Sequence, residues 1–133
     1  MNHKELVQKS IEAKSFTHSL ASKFPVGAAL LTTKGVFLGA NIENASYSLC
    51  MCAERTAIYS AHMQGCKKGD YISIAITADT EKHIVPCGAC LQVMSEFLEP
   101  DAEVILSNID GDFKVFKFGD IMPLRFSFDD LNN

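Results

Sequence analysis

Residues 71–106 read YISIAITADTEKHIVPCGACLQVMSEFLEPDAEVIL, and this stretch decides the fold. Tyr71–Thr77 runs through Ile-Ser-Ile-Ala-Ile and reads as a buried strand. Pro86-Cys87-Gly88 then breaks the chain and opens a helix over about Ala89–Leu98, which stops before Pro100. Glu103–Leu106 is a second short apolar strand. Outward toward the C-terminus, Phe113–Phe118 alternates Phe and Lys and reads as a strand with one wet face. Toward the N-terminus, Cys52–Met63 is an alanine-rich helix with Gly65 as its stop, and residues 41–51 are turn-rich loop. Val26–Leu31, the Lys34-Gly35 turn and Val36–Leu38 form a hairpin whose first strand is buried. Residues 3–21 carry apolar side chains at Leu6, Ile11, Ala13, Phe16, Leu20 and Ala21, the pattern of an amphipathic helix. Five strands alternating with helices predict a three-layer α/β/α sandwich around a mixed five-stranded sheet.

No repeat, low-complexity tract or linker interrupts the sequence, and 133 residues suit a single domain spanning 1–133. Apolar residues make up 47% and charged residues 21%, ordinary globular usage that fills a core without staples. A formal charge of -4 and a pI near 5.5 lack the basic face that polynucleotides require. The balance therefore points to a small-molecule substrate and not to nucleic acid. The first ten residues, MNHKELVQKS, have no apolar core of a secretory signal, and no run is long enough to span a bilayer. The expected location is the cytoplasm, with no membrane partner. Five clustered cysteines in such a compartment point to metal or to chemistry rather than to a disulfide framework.

The chemistry gathers in two segments, Cys52-Ala53-Glu54-Arg55 and Pro86-Cys87-Gly88-Ala89-Cys90. The second is a C-x-x-C at a helix start, a spacing that lets two sulfurs converge on one ion. Cys52 stands at the start of the other helix. If the two starts meet, three sulfurs face one point, and the free N–H groups there favour thiolate. Three protein ligands leave tetrahedral zinc one open position, and water bound there becomes a nucleophile near neutral pH. Glu54, two residues from Cys52, lies in reach of that water as general acid and base. By itself a C-x-x-C fits a redox pair or half of a structural zinc site equally well. Cys50 is a further candidate ligand for a closed site, although it points away from Cys52 if the segment is extended. Cys66 and the four histidines His3, His18, His62 and His83 have no ligand-like spacing.

At these segments the sequence closely resembles the cytidine deaminase family in its small, homotetrameric form, a class whose signature pairs a Cys or His, a Glu and a Pro-Cys-x-x-Cys. The resemblance implies one zinc ion per chain held by Cys52, Cys87 and Cys90, with Glu54 as the proton-carrying catalytic residue. It extends to Lys23-Phe24-Pro25-Val26-Gly27-Ala28-Ala29, which implies Phe24 against the pyrimidine ring. It extends also to Asn41-Ile42-Glu43-Asn44-Ala45-Ser46-Tyr47, which implies Asn41 and Glu43 on the ribose hydroxyls. Their alternation puts both on one side if the segment is extended. Near the end, Met122-Pro123-Leu124-Arg125-Phe126 and Asp130-Leu131 are similar to the family's last stretch, where Phe126 helps line an active site, that of the same or a neighbouring subunit. The Ala53 N–H, at a helix start, is a candidate donor to the base carbonyl.

Taken together, the resemblance implies hydrolysis of cytidine and deoxycytidine to uridine and deoxyuridine with release of ammonia, by a cytoplasmic homotetramer in pyrimidine salvage. One departure stands out: the family usually carries arginine directly after the third zinc cysteine, and this chain has Leu91. Three thiolates on a divalent ion sum to a net negative charge, which cations nearby must offset. Arg55 is left to carry more of that load. Other readings stay open on residues alone: a deaminase for another small molecule such as a nucleoside antibiotic like blasticidin S, a polynucleotide-editing deaminase, and a structural zinc or thiol-redox protein.

Overall fold

The computed structural model describes residues 1–132, and it is built on one mixed sheet. The strands are β1 (Val26–Thr32), β2 (Gly35–Ala40), β3 (Tyr71–Ala78), β4 (Glu103–Ser107) and β5 (Phe113–Lys117). Their order across the sheet is β2-β1-β3-β4-β5. β3 and β4 run parallel, and the other neighbours run antiparallel. The helices are α1 (His3–Lys14), α2 (Ala53–Met63), α3 (Gly88–Phe97) and two single-turn pieces, α4 (Phe118–Ile121) and α5 (Phe128–Leu131). α3 is the crossover between the parallel pair, as parallel strands require.

Alternation along the strands divides the core into two halves. Ala28, Leu30, Ile74, Ile76, Val104 and Leu106 face α2 and α3, together with Ala57, Ile58 and Met94. Ala29, Ala75 and Ile105 face the other way, against Leu6 and Val7 of α1. One strand residue in two thus serves each layer, and the three-layer arrangement expected from the sequence is the one observed.

Two segments differ from the expectation. The N-terminal helix ends at Lys14 rather than running to residue 21. Ser15 closes it by bonding back to the Glu12 carbonyl, and the next residues leave to pair elsewhere: the His18 N–H donates to the Asn41 carbonyl at 3.0 Å. Phe16 and Leu20, expected on the buried face, are consequently 70% and 78% exposed. Phe118, read as the last residue of β5, instead opens α4 and is fully buried. β5 itself is wet along most of its length rather than on one face, because it is an edge strand.

Two glycines set the layer spacing. A Cβ on Gly27 of β1 would stand 2.0 Å from the Ser10 carbonyl oxygen, so α1 lies directly on the strand backbone. Gly39 of β2 does the same for the first turn of α2. Among the described residues no helix is long and apolar enough to cross a membrane.

Candidate active site

The sheet order brings the chemistry to one edge of the molecule. Val26 at the start of β1 pairs with Ala78 at the end of β3, and Gly27 pairs with Ala40 at the end of β2. The chain entering β1, the chain leaving β2 and the loop leaving β3 toward α3 therefore meet at the carboxyl end of the parallel pair. That is where open α/β sheets bind ligands. A cleft of about 550 Å³ opens there, lined by Phe24, Asn41, Glu43, Cys52, Glu54 and Cys87 among others.

Cys52 and Cys87 occupy the N-cap positions of α2 and α3, and neither helix has a side-chain cap bond. Cys90 lies one turn into α3, fully buried. The three sulfurs all lie within 4.8 Å of one another, and Cys87 and Cys90 are 3.5 Å apart. Thiolates around tetrahedral zinc at ~2.3 Å would be separated by about 3.8 Å. A disulfide needs about 2.05 Å. The donor set and its spacing thus fit a zinc ion. Among the described residues no histidine, carboxylate or further cysteine joins the three within that distance. Cys50, the candidate fourth ligand, is turned to Asn44, whose N–H donates to its sulfur at 3.3 Å. Cys66 is buried beneath the end of α2.

The charges around the sulfurs favour ion binding. The Cys90 thiol donating to Cys52, and then the Arg55 guanidinium, bring the Cys52 thiol down to about 5 against the opposing effect of burial. Cys90, the donor in that pair, is pushed up. Arg55 Nη2 stands 3.2 Å from Cys52 Sγ. The same guanidinium carries a buried Nε without a hydrogen-bond partner, and the sulfurs hold the whole group firmly charged. Leu91 offers no second cation: it packs against the apolar core between α2 and the sheet.

Glu54, in the first turn of α2, is 5% exposed. Burial pushes its carboxyl above the ordinary carboxylate range, and the Cys52 thiolate adds to the effect. A carboxyl so placed holds a proton more readily than one in water, the property a proton carrier needs. Ala53 between them is fully buried at the helix start.

Asn41 ties three segments of the chain together. Its Oδ1 accepts from the Val26 N–H at 2.8 Å and the Thr17 hydroxyl at 2.6 Å, and its Nδ2 donates to the Phe24 carbonyl at 2.8 Å. The remaining Nδ2 hydrogen makes a long contact with Glu43 Oε2 at 3.4 Å. Phe24 is 39% exposed and lines the cleft. Phe126 is not brought there. The C-terminal segment lies along α3, where Gln92 Nε2 donates to the Phe126 carbonyl at 2.8 Å, and the ring is 58% exposed. The sequence reading missed Ser22, which grips Glu43, and the apolar wall of Val26, Ile84 and Val85. No motif marks Ser22, Ile84 or Val85, and Val26 was read only as part of a strand: their contacts come from chain segments far apart.

A three-layer α/β/α fold with three sulfurs at paired helix starts, and a buried carboxyl in the same turn, defines a zinc-dependent enzyme. Residues 1–106 match the family described as the cytidine and deoxycytidylate deaminase zinc-binding region. The sequence is 42% identical over 134 residues, all of both chains, to a cytidine deaminase of Halalkalibacterium halodurans. It is 40% identical to a probable cytidine deaminase of Dictyostelium discoideum, across 98% of this chain and 90% of that one. Its fold superposes with a TM-score of 0.91 on the crystal structure of cytidine deaminase from Burkholderia pseudomallei, 46% identical over 95% of this chain and 100% of that one. The chain belongs to the cytidine deaminase family.

Proposed function

We propose that this protein hydrolyses cytidine and deoxycytidine to uridine and deoxyuridine, releasing ammonia, as a step of pyrimidine salvage. The observation that carries this is the buried Glu54 carboxyl beside three converging sulfurs, in a cleft that also presents Phe24, Asn41 and Glu43.

Zinc held by Cys52, Cys87 and Cys90 supplies a Lewis acid that makes water nucleophilic near neutral pH. Glu54 takes a proton from the attacking water and passes it to N3 of the ring, which draws electron density from C4. The water oxygen adds at C4, giving a tetrahedral centre. Glu54 then moves the second water proton to the amino group, the C4–N bond breaks, ammonia leaves and the C4 carbonyl forms. Water has supplied the oxygen, and both of its protons are accounted for, one on N3 and one on ammonia. Phe24 packs on the base, and the Ala53 N–H donates to its carbonyl. Asn41 and Glu43 take the sugar hydroxyls.

The cleft favours a nucleoside over its phosphate. Around Glu43 the lining residues are Ser22, Asn41, Tyr47 and Ser48, and among the described residues the only arginine or lysine of the lining, Arg55, is engaged with Cys52. A phosphate placed there would meet a carboxylate and no free lysine or arginine of the cleft lining to pair with it. A polynucleotide meets the same obstacle many times over.

The working form is a homotetramer of single-domain chains in the cytoplasm. Large apolar side chains stand exposed on this chain at Tyr47, Leu49, Met63, Leu124 and Phe128, and contacts between copies would cover them. Phe126, away from its own cleft, is free to line a neighbour's. Sedimentation of a species four times the chain mass supports this, and a fully active monomer refutes it.

The deciding experiment follows the ultraviolet change of cytidine on metal-quantified protein, with Glu54→Ala beside it. Wild type converts cytidine, whereas Glu54→Ala keeps its zinc and loses turnover. A variant that still turned over would remove Glu54 from its role.

A further inference from the structure

We propose that Ser22 is a positioning residue for the nucleoside: it fixes the plane of the Glu43 carboxylate and joins that carboxylate to the Phe24 turn. The inference rests on the substrate reading above and adds a residue to it.

Glu43 stands on a loop whose other residues from 42 to 49 are exposed. A glutamate on such a loop has rotamer freedom to lose before it can hold a sugar. Ser22 removes that freedom from two directions. Its backbone N–H donates to Glu43 Oε1 at 2.9 Å, and its hydroxyl donates to Oε2. Two donors, one to each oxygen, fix the carboxylate plane as a single bond would not. Oε1 keeps a lone pair for a ligand hydroxyl. The same two contacts, the hydroxyl first, hold the Glu43 carboxyl below the ordinary carboxylate range, so it stays an acceptor.

The grip is part of a closed ring of hydrogen bonds. The Phe24 N–H donates back to Ser22 Oγ at 3.0 Å. The Phe24 carbonyl accepts from Asn41 Nδ2 at 2.8 Å, and Asn41 Nδ2 approaches Glu43 Oε2 at 3.4 Å. Ser22, Phe24, Asn41 and Glu43 are thus one unit, which holds the residue that meets the base in register with the residues that meet the sugar. Lys23, the link between Ser22 and Phe24, has φ +54°, the left-handed region that a residue with a side chain seldom enters. The turn there keeps that conformation because both of its flanks are tied.

The test is steady-state kinetics on cytidine with the zinc-loaded enzyme. Ser22→Ala removes the hydroxyl and spares the N–H; KM rises about tenfold while kcat stays within about twofold. Ser22→Thr, which keeps the hydroxyl, restores KM. In a Glu43→Ala background the Ser22→Ala change adds nothing further to KM, because the carboxylate through which it acts is gone. Additive effects in that cycle, or an unchanged KM in Ser22→Ala, overturn the proposal while leaving the deaminase reading intact. A zinc-loaded wild type that leaves cytidine untouched overturns the deaminase reading, and this proposal with it.

Discussion

Gly39 and Ala53 are in contact with no space for a side chain between them: a Cβ on Gly39 would stand 2.3 Å from the Ala53 carbonyl oxygen. The same atom would stand 2.6 Å from the Ala57 nitrogen, so the strand backbone is the seat of the first turn of α2. Ala53 lies between Cys52 and Glu54, so this seat sets the height of the Cys52 sulfur and of the Glu54 carboxyl together. Gly39→Ala forces backbone apart, at a cost of about 1–3 kcal/mol or more. The expected result is a lower unfolding midpoint and a reduced zinc content. Gly88→Ala is the control: nothing lies within 4 Å of its added carbon, and fold and zinc persist. Equal tolerance of both substitutions would show that the seat is not what places the site.

Arg55 is the cation whose guanidinium touches Cys52, and Leu91 adds none. Removing the charge in Arg55→Gln leaves the sulfurs less compensated and the bound ion less electrophilic. Changes of this kind next to metal ligands cost about 10–100-fold in metal affinity or activity. Zinc content measured under competition with a chelator, and turnover per zinc, should both fall. If both are unchanged, Arg55 carries no such load.

Ser10, Thr77 and Ser107 form a chain of buried hydroxyls that runs from α1 through β3 to β4. Ser10 donates onward to the Val7 carbonyl at 2.6 Å, so Thr77 is its donor and the direction of this part of the chain is set. Thr77→Val keeps the shape and removes the middle member, which strands hydroxyls in the core at about 1–3 kcal/mol. Thr77→Ser should lie close to wild type. Urea unfolding of the three proteins checks the order, and a stable Thr77→Val would show that the hydroxyls rearrange freely.

Asp70 ties the loop after α2 to the hairpin turn. The Thr33 hydroxyl donates to its Oδ1 at 2.7 Å and the Lys67 N–H to its Oδ2 at 2.7 Å. These contacts, Thr33 first, hold its carboxyl below the ordinary range. The folded chain thus binds the Asp70 proton less readily than the unfolded chain. Its contribution to stability is complete above the unfolded value near ~3.9 and is lost as pH falls through the lower folded value. Asp70→Asn should therefore melt below wild type at pH 7, and the gap should close in acid. A gap independent of pH would mean that the carboxylate charge plays no part.

The strands and the helices α2 and α3 were legible because their patterns are local. The C-x-x-C and C-x-E spacings were legible for the same reason: each lies within a helix turn or next to one. The end of α1 was not, because Phe16 and Leu20 continue a helical pattern that the chain abandons to pair His18 with Asn41. Ser22 was invisible because its partner lies 21 residues away and half of the contact is backbone. Asn41 read as a sugar ligand, and nothing in the sequence revealed that Thr17, Phe24 and Val26 would already engage most of its amide.

Where a serine or aspartate would ordinarily close the first turn, α2 and α3 each begin on a cysteine that makes no such bond. An ion held by Cys52, Cys87 and Cys90 would tie the starts of these two helices to each other. Ligand that binds only the folded chain adds to its stability with the logarithm of free concentration. Zinc supply therefore enters the unfolding equilibrium as well as the reaction.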